Sequence, residues 1–419
     1  MSDRPPIKLR LNVVPPERHP QQGAFPAGGV VLSEPMTRFR CNEKGCCCSG
    51  WDIPFKLEDF LRLHDRLDDA DRPALTKGLK LILEPPKAGQ PIDEGEQILH
   101  ALKLAGVGDD KHCRFLADGG GCNVHAKYGI EALPDLCVDF PSFGYKQPGD
   151  GPVELFFDPV CPEVLERLDE STAPLRLHHQ QAPFGWATHD LRASHASTPV
   201  RVAVSGEPLP AEHLFAVRNA CVEAFADPAS APWETLAALL HSIRELQPGS
   251  APAAGFPTRP ADLTPFLQFL NRCIDAHSAE LLMLLFARFK RFVFAIDLKP
   301  VLERREELMA HLADWRPAFG TWLAPQEEVV RPLQARWLAH RFGSPFVKQR
   351  GELREAADAI AHLFGTSLRI AAALGAVLQQ PVDRNLYKVA IGASEFFYRS
   401  LHLPHESLPW FASAGDPRP

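Results

Sequence analysis

A chain of 419 residues with 45% hydrophobic and 23% charged side chains has ordinary globular usage, which excludes an intrinsically disordered protein and leaves room for two or three domains. Its formal net charge of -7 argues against nucleic acid or an anionic membrane as the main partner, because either needs a basic face to displace counterions. Prolines and charges interrupt the opening stretch "MSDRPPIKLRLNVVPPERHP" where a signal peptide needs an unbroken apolar run, so a cytoplasmic, reducing location is expected.

In chain order, residues 1–35 are rich in proline and glycine and predict an extended arm. Residues 36–170 form a cysteine-rich segment, expected to be a metal-binding domain. It opens with "FRCNEKGCCCSGWDIPF", Phe39 to Phe55, which holds Cys41, Cys46, Cys47 and Cys48. Helical spacing of apolar residues in "KLEDFLRLHDRLDDADRPALTKGLKLIL" predicts two short helices, with Pro73 near the start of the second. The stretch from Cys113 to Phe143 is loop-like around Asp118 to Gly121 and helical from His125 to Ala132, until Pro134 ends the turn. "GPVELFFDPVCPEVLERLDE" predicts a short strand and then a helix after Cys161, with Pro162 suited to the first helical position.

Residues 171–210 predict an irregular connection with one hairpin in "PVRVAVSGEPL" and with His178 and His179 at the surface. From residue 211 to 419 apolar residues recur at three- and four-residue spacing, which predicts roughly six to eight helices. The most apolar long stretch, Ala279 to Leu298, contains Arg288, Lys290 and Arg291, each costly at mid-bilayer, and predicts a core helix instead of a membrane span. The expected fold class is therefore mainly α, an irregular cysteine-rich metal-binding N-terminal domain followed by an α-helical C-terminal region.

Eight of the ten cysteines fall between Cys41 and Cys161. The other two, Cys221 and Cys273, sit on apolar helix faces and predict buried small hydrophobes. In a reducing compartment such clustering points to metal ligation or redox chemistry before structural disulfides. Thiolates are the donors that zinc and iron prefer, and cysteines close in sequence meet at little loop-closure cost. The spacing is Cys41-x4-Cys46-Cys47-Cys48, then Cys113-x8-Cys122-x2-His125-x11-Cys137, closed by Cys161. These thiols suffice for a four-iron cluster or a tetrahedral zinc site, with ligands to spare, and structural, redox and catalytic metals all remain open from spacing alone. Beside them, Gly50 and Trp51 are candidates to line a cofactor, Trp51 by shielding it from solvent or simply by filling core. His125, one helical turn beyond Cys122, is a candidate ligand or ligand neighbour. No Rossmann unit, P-loop or Ser-His-Asp order competes with this reading.

The order Phe39-x-Cys41, Cys47-Cys48-x-Gly50-Trp51-x-Ile53, Cys113, Gly121-Cys122-x-Val124-His125, Leu136-Cys137-x-x-Phe140-Pro141 and Cys161-Pro162-Glu163 resembles the cysteine-cluster proteins named for zinc or iron chelation. Within them it is most similar to the flagellin lysine-N-methylase family, over about residues 36 to 170. The resemblance implies an iron-sulfur cluster, with four irons and four sulfurs as the expected form and zinc as the alternative, held by the eight clustered cysteines. It also implies S-adenosylmethionine-dependent methyl transfer to a lysine or other amine of a protein or peptide. Another modification or oxidation on the same metal, or a non-enzymatic metal-binding module, are the competing classes. An exposed lysine, with a pKa of about 10.4, must lose its proton before it attacks a methyl group. Asp52 and Glu163, close to the cysteines in sequence, are the candidate bases, and Tyr128 is the phenol nearest in sequence to the second cysteine group. Capping by Asp52 and helix-dipole pairing by Glu163 are the alternative roles.

Overall fold

The computed structural model describes residues 29–39, 53–55, 57–81, 102–104, 113–117, 121–134, 137–138, 140–146, 152–180, 203–227, 230–247, 296–343 and 352–400. These residues are predominantly helical, as the apolar periodicity predicts. The predicted helices between Ala261 and Ala295, and most of the N-terminal arm, lie outside them.

Strand β1 (Val30–Ser33) lies inside a four-stranded sheet, while β2 (Ile53–Phe55), β3 (Leu79–Leu81) and β4 (Leu102–Leu104) pair separately in the order β2-β4-β3. The larger sheet adds β5 (Ser142–Lys146), β6 (Val153–Phe157) and β7 (Leu177–Gln180) in the order β5-β6-β1-β7. β5 and β6 form a hairpin in which Ser142 faces Phe157, β1 runs parallel to β6, and β7 returns antiparallel to β1. Every residue of β6 is buried, the pattern of a strand covered on both faces. The predicted hairpin is formed by β8 (Ala203–Val204) and β9 (Glu207–Pro208), turning through Ser205 and Gly206, both at positive φ. His178 and His179 are exposed on β7, an edge strand.

Helices α1 (Leu57–Arg66) and α2 (Arg72–Gly78) follow the predicted pattern, with Pro73 in the first turn of the second. Next come α3 (Asn123–Tyr128) and α4 (Pro162–Glu170), then α5 (Ala211–Ala224), α6 (Pro232–Glu245), α7 (Lys299–Glu303), α8 (Arg305–Ala313) and α9 (Trp315–Ala318). A π-turn at Phe319–Leu323 and a 3-10 turn lead into α10 (Glu327–Gly343), followed by α11 (Leu353–Leu378) and α12 (Arg384–Ser400). Helix α11 is the axis of the bundle and touches α12, α8, α6 and α10. It is buried nearly all round, which its many alanines permit by letting neighbouring backbones approach closely. By length and composition it is the one helix among the described residues that passes for a membrane span, and its apolar window is wholly buried inside the protein.

The hydrophobic core crosses the boundary expected at residue 170. Val30, Leu32, Met36, Phe157, Val164 and Leu165 share one cluster with Val217, Trp337, Phe364 and Tyr387 of the helical region. Val30–Ser33, expected to belong to the arm, is thus an inner strand, because its β-branched valines meet partners distant in sequence. Cys221 lies buried in this core as predicted, and burial pushes its thiol pKa well up. A second, smaller cluster joins Leu63, Leu67 and Leu75 of α1 and α2 to Phe115, Val124, Ala132 and Leu133.

Candidate metal centre

The segment beginning at Cys113 folds as a tight knuckle. The Leu116 amide donates to the Cys113 carbonyl at 3.0 Å, and Leu116 bridges Cys122 across the loop. The Asn123 amide closes the turn on the Phe115 carbonyl at 2.8 Å. Gly121 holds a φ of 80°, which a side chain would strain, and so returns the chain toward Cys113. Cys122 then serves as the N-cap residue of α3, its carbonyl accepting the Ala126 amide at 2.9 Å. Its side chain therefore leaves the chain at the head of α3. After α3 the chain breaks at Gly129, passes through a single 3-10 turn, and reaches Cys137, whose amide donates to the Pro134 carbonyl at 2.9 Å. Cys113, Cys122 and Cys137 all pack, partly buried, on the smaller apolar cluster.

Cys161 stands on the main core instead, at the N-cap of α4. Its amide donates to the Asp158 carbonyl at 2.9 Å, while the buried Asp158 carboxylate accepts the Val160 amide at 2.9 Å. The Asp158 amide in turn donates to the Pro141 carbonyl at 2.8 Å, and Pro141 lies four residues beyond Cys137. Phe39, two residues before Cys41 in sequence, rests its ring on Phe157 with centroids 5.2 Å apart. The flanks of three cysteine-bearing segments thus meet at Phe157 and Asp158. The far end of α4 is pinned as well: Arg336 donates to the carbonyls of Leu168 and Asp169, and the buried Lys388 ammonium pairs with Glu166 at 2.7 Å and Asp169 at 3.2 Å.

These thiols fit a soft or borderline metal by donor chemistry, and the apolar shell behind them limits solvent access. Among the described residues no three His, Cys, Asp or Glu side chains are grouped closely enough to hold an ion. Cys41, Cys46, Cys47, Cys48, Gly50, Trp51 and Asp52 lie outside the described residues.

The remaining candidates have definite surroundings. His125 is exposed on α3. The Tyr128 hydroxyl donates to Asp71 Oδ2 at 2.6 Å and accepts the Asp68 amide at 3.3 Å. Lys127 joins the same pair, its ammonium 2.6 Å from Asp68 and 2.9 Å from Asp71. Lys127 holds the Asp68 carboxyl down to about 2, while burial first, and then the bond to Asp71, push the Tyr128 phenol above its usual range. Tyr128 therefore keeps its proton at neutral pH. This cluster, which sequence reasoning did not anticipate, ties α3 to the α1–α2 turn; its only local signal is the acidic run "DDAD" between two helices. Glu163, in the first turn of α4, is buried, and Arg167 one turn later grips it through Nε at 2.7 Å and Nη2 at 2.5 Å.

One residue of the helical region also reaches the Phe157 junction, again without a signal in sequence. His340, on α10 and only 3% exposed, has Nε2 2.6 Å from the Phe157 carbonyl and Nδ1 2.8 Å from the Ser33 hydroxyl. No family model, no curated protein and no solved structure matches this chain.

Proposed function

We propose that the chain carries a thiolate-bound iron-sulfur centre within residues 36–170 and is an S-adenosylmethionine-dependent N-methyltransferase for a lysine or other amine of a protein or peptide. The observations that support the metal centre are the meeting of the flanks of three cysteine-bearing segments at Phe157 and Asp158 and the packing of Cys113, Cys122 and Cys137 on one apolar cluster. The methyl transfer rests on the sequence resemblance. In this reading Cys113, Cys122, Cys137 and Cys161, with donors from the Cys41 to Cys48 group, hold the cluster, and zinc is the alternative occupant. The cluster supplies a redox-capable or charge-stabilising centre when bound, and S-adenosylmethionine supplies the methyl group.

The chain's own part is to orient the acceptor and remove its proton. Glu163 is occupied by Arg167, and Tyr128 is protonated and donates to Asp71, so neither is poised as a base. Asp52 takes the proton from the acceptor amine and leaves the nitrogen lone pair available. His125, exposed one turn from Cys122, is suited to contact the incoming substrate.

The knuckle also suits structural zinc, which favours a non-enzymatic module as the second reading. Calorimetric titration of the metal-loaded protein with S-adenosylmethionine, followed by mass spectrometry of candidate peptides for added methyl groups, separates the two. Donor binding with methylated product is expected. A protein with its metal intact that binds no donor rejects the transferase.

A further inference from the structure

We infer that His340 is a positioning residue that couples the helical bundle to the Cys161 arm of the metal centre. The inference rests on Cys161 being a ligand, as proposed above, and on the hydrogen-bond geometry around the imidazole. A backbone carbonyl only accepts, so the contact of 2.6 Å between Nε2 and the Phe157 oxygen requires the proton on Nε2. In the neutral ring Nδ1 is then an acceptor, and the Ser33 hydroxyl donates to it at 2.8 Å. Of the two neutral tautomers, this one alone satisfies both bonds. Burial reinforces it by lowering the imidazole pKa to about 4. The ring is also stacked on Phe156, with centroids 5.2 Å apart and planes 26° apart, while the Arg341 guanidinium lies 5.4 Å from the centre of that same Phe156 ring.

What His340 holds is the corner from which Cys161 projects. Phe157 ends β6, and the next residue, Asp158, carries three backbone restraints: its amide on Pro141, its carbonyl under the Cys161 amide, and its carboxylate under Val160. Ser33, on the other side of the imidazole, ends β1 and leads through Met36 to Phe39, the anchor before Cys41. A single side chain of α10 therefore clamps the ends of two strands that lead into two cysteine segments. Nothing in general core packing demands this. An apolar residue at 340 would fill the space and avoid burying two ring nitrogens. The cost of desolvating the imidazole is offset only through the two bonds that fix the corner, which is the arrangement by which residues around ligands set ligand direction and affinity.

The test uses the full chain purified without oxygen. His340→Phe keeps an aromatic ring and drops both hydrogen bonds, His340→Gln keeps an amide donor and a carbonyl acceptor, and Ser33→Ala removes the outer bond alone. Zinc affinity is read by chelator competition. In metal-free protein, alkylation of Cys161 and of Cys113 by iodoacetamide is read in the same sample by peptide mass spectrometry. The expected result is roughly a ten- to hundredfold loss of zinc affinity in His340→Phe, the range seen when a ligand's supporting partner is removed. Cys161 alkylation should accelerate severalfold while Cys113, on the other apolar cluster, stays at the wild-type rate. His340→Gln should restore both readings, and Ser33→Ala should fall between, which keeps the test decisive if His340→Phe does not fold. Equal acceleration at both cysteines, or unchanged zinc affinity and Cys161 rate alongside a lower melting temperature, overturns the inference. Wild-type protein that binds no zinc or iron, yet still shows the selective Cys161 response and its rescue by glutamine, retains the coupling and rejects the metal-centre function.

Discussion

An imidazole sealed in apolar surroundings loses more by protonation than it gains, and His340 makes that loss visible in stability. Its pKa falls from an ordinary 6.5 to about 4 in the folded protein, chiefly through burial; Arg341 also disfavours the charge, while the Phe157 carbonyl and Asp158 partly support it. Between those two values the unfolded chain binds a proton that the folded chain refuses. The stability associated with neutral His340 is therefore complete above about pH 6.5 and is lost as pH falls toward 4. At about 1.36 kcal/mol per pKa unit the total is on the order of 3 kcal/mol. Urea melts between pH 7 and pH 4 should show this loss in the wild-type chain and a flatter profile in His340→Gln. Equal slopes would mean that the imidazole is protonated without penalty. At the same scale, Glu163 illustrates what sequence reading reaches and what it does not. Its place in the first turn after Cys161 and its i,i+4 spacing to Arg167 are legible, whereas the burial of the carboxylate depends on how α4 packs.

Among the elements, α11 tests how tightly the bundle is closed. A Cβ at Gly375 would lie 2.9 Å from the Trp322 Cβ and 3.1 Å from the Gln380 carbonyl, contacts that a rotamer change cannot relieve. A Cβ at Gly392 on α12 would meet nothing nearer than Leu165 Cδ1 at 3.9 Å. Gly375→Ala should therefore destabilise by about 2 kcal/mol through overpacking. Gly392→Ala should stabilise by up to about 1 kcal/mol, the ordinary helix preference of alanine over glycine. Chemical denaturation of the two variants checks both signs; a neutral Gly375→Ala would mean that α11 and the π-turn are not in contact. The helix itself was legible, since apolar spacing runs unbroken from Leu353. Its position at the axis, with both faces covered, was not, because periodicity reports one wet face and α11 has almost none. Strand β1 was illegible for a related reason. A short strand carries little periodicity, and its partners lie far along the chain, with Val30 opposite Val153 and Gln180.

For the molecule as a whole, sequence reading separated a cysteine-rich part from a helical part, whereas the main core binds β1, β6 and α4 to the helices after Ala211. The cysteine positions could be read directly, but their supports could not: Ser33 and His340 are 307 residues apart. The two apolar clusters make a prediction about folding. The smaller one rests on few side chains from α1, α2 and the knuckle, so it depends on metal more than the main core does. Chelation followed by limited proteolysis should open cuts between Cys113 and Cys137 first, while a fragment containing α5 to α12 survives. Cuts spread evenly along the chain would contradict two cores of unequal stability.

The central claim is a thiolate-bound iron-sulfur centre, and the most direct measurement is iron, zinc and acid-labile sulfide per chain in protein purified without oxygen. Wild-type chain and a Cys221→Ala variant are expected to hold equal amounts, on the order of four irons and four sulfides each, because Cys221 is fully buried on α5, outside the cysteine-rich segment. Cys122→Ser, at the head of α3, is expected to lower both. One equivalent of zinc without sulfide, or metal content indifferent to Cys122→Ser, would contradict the account.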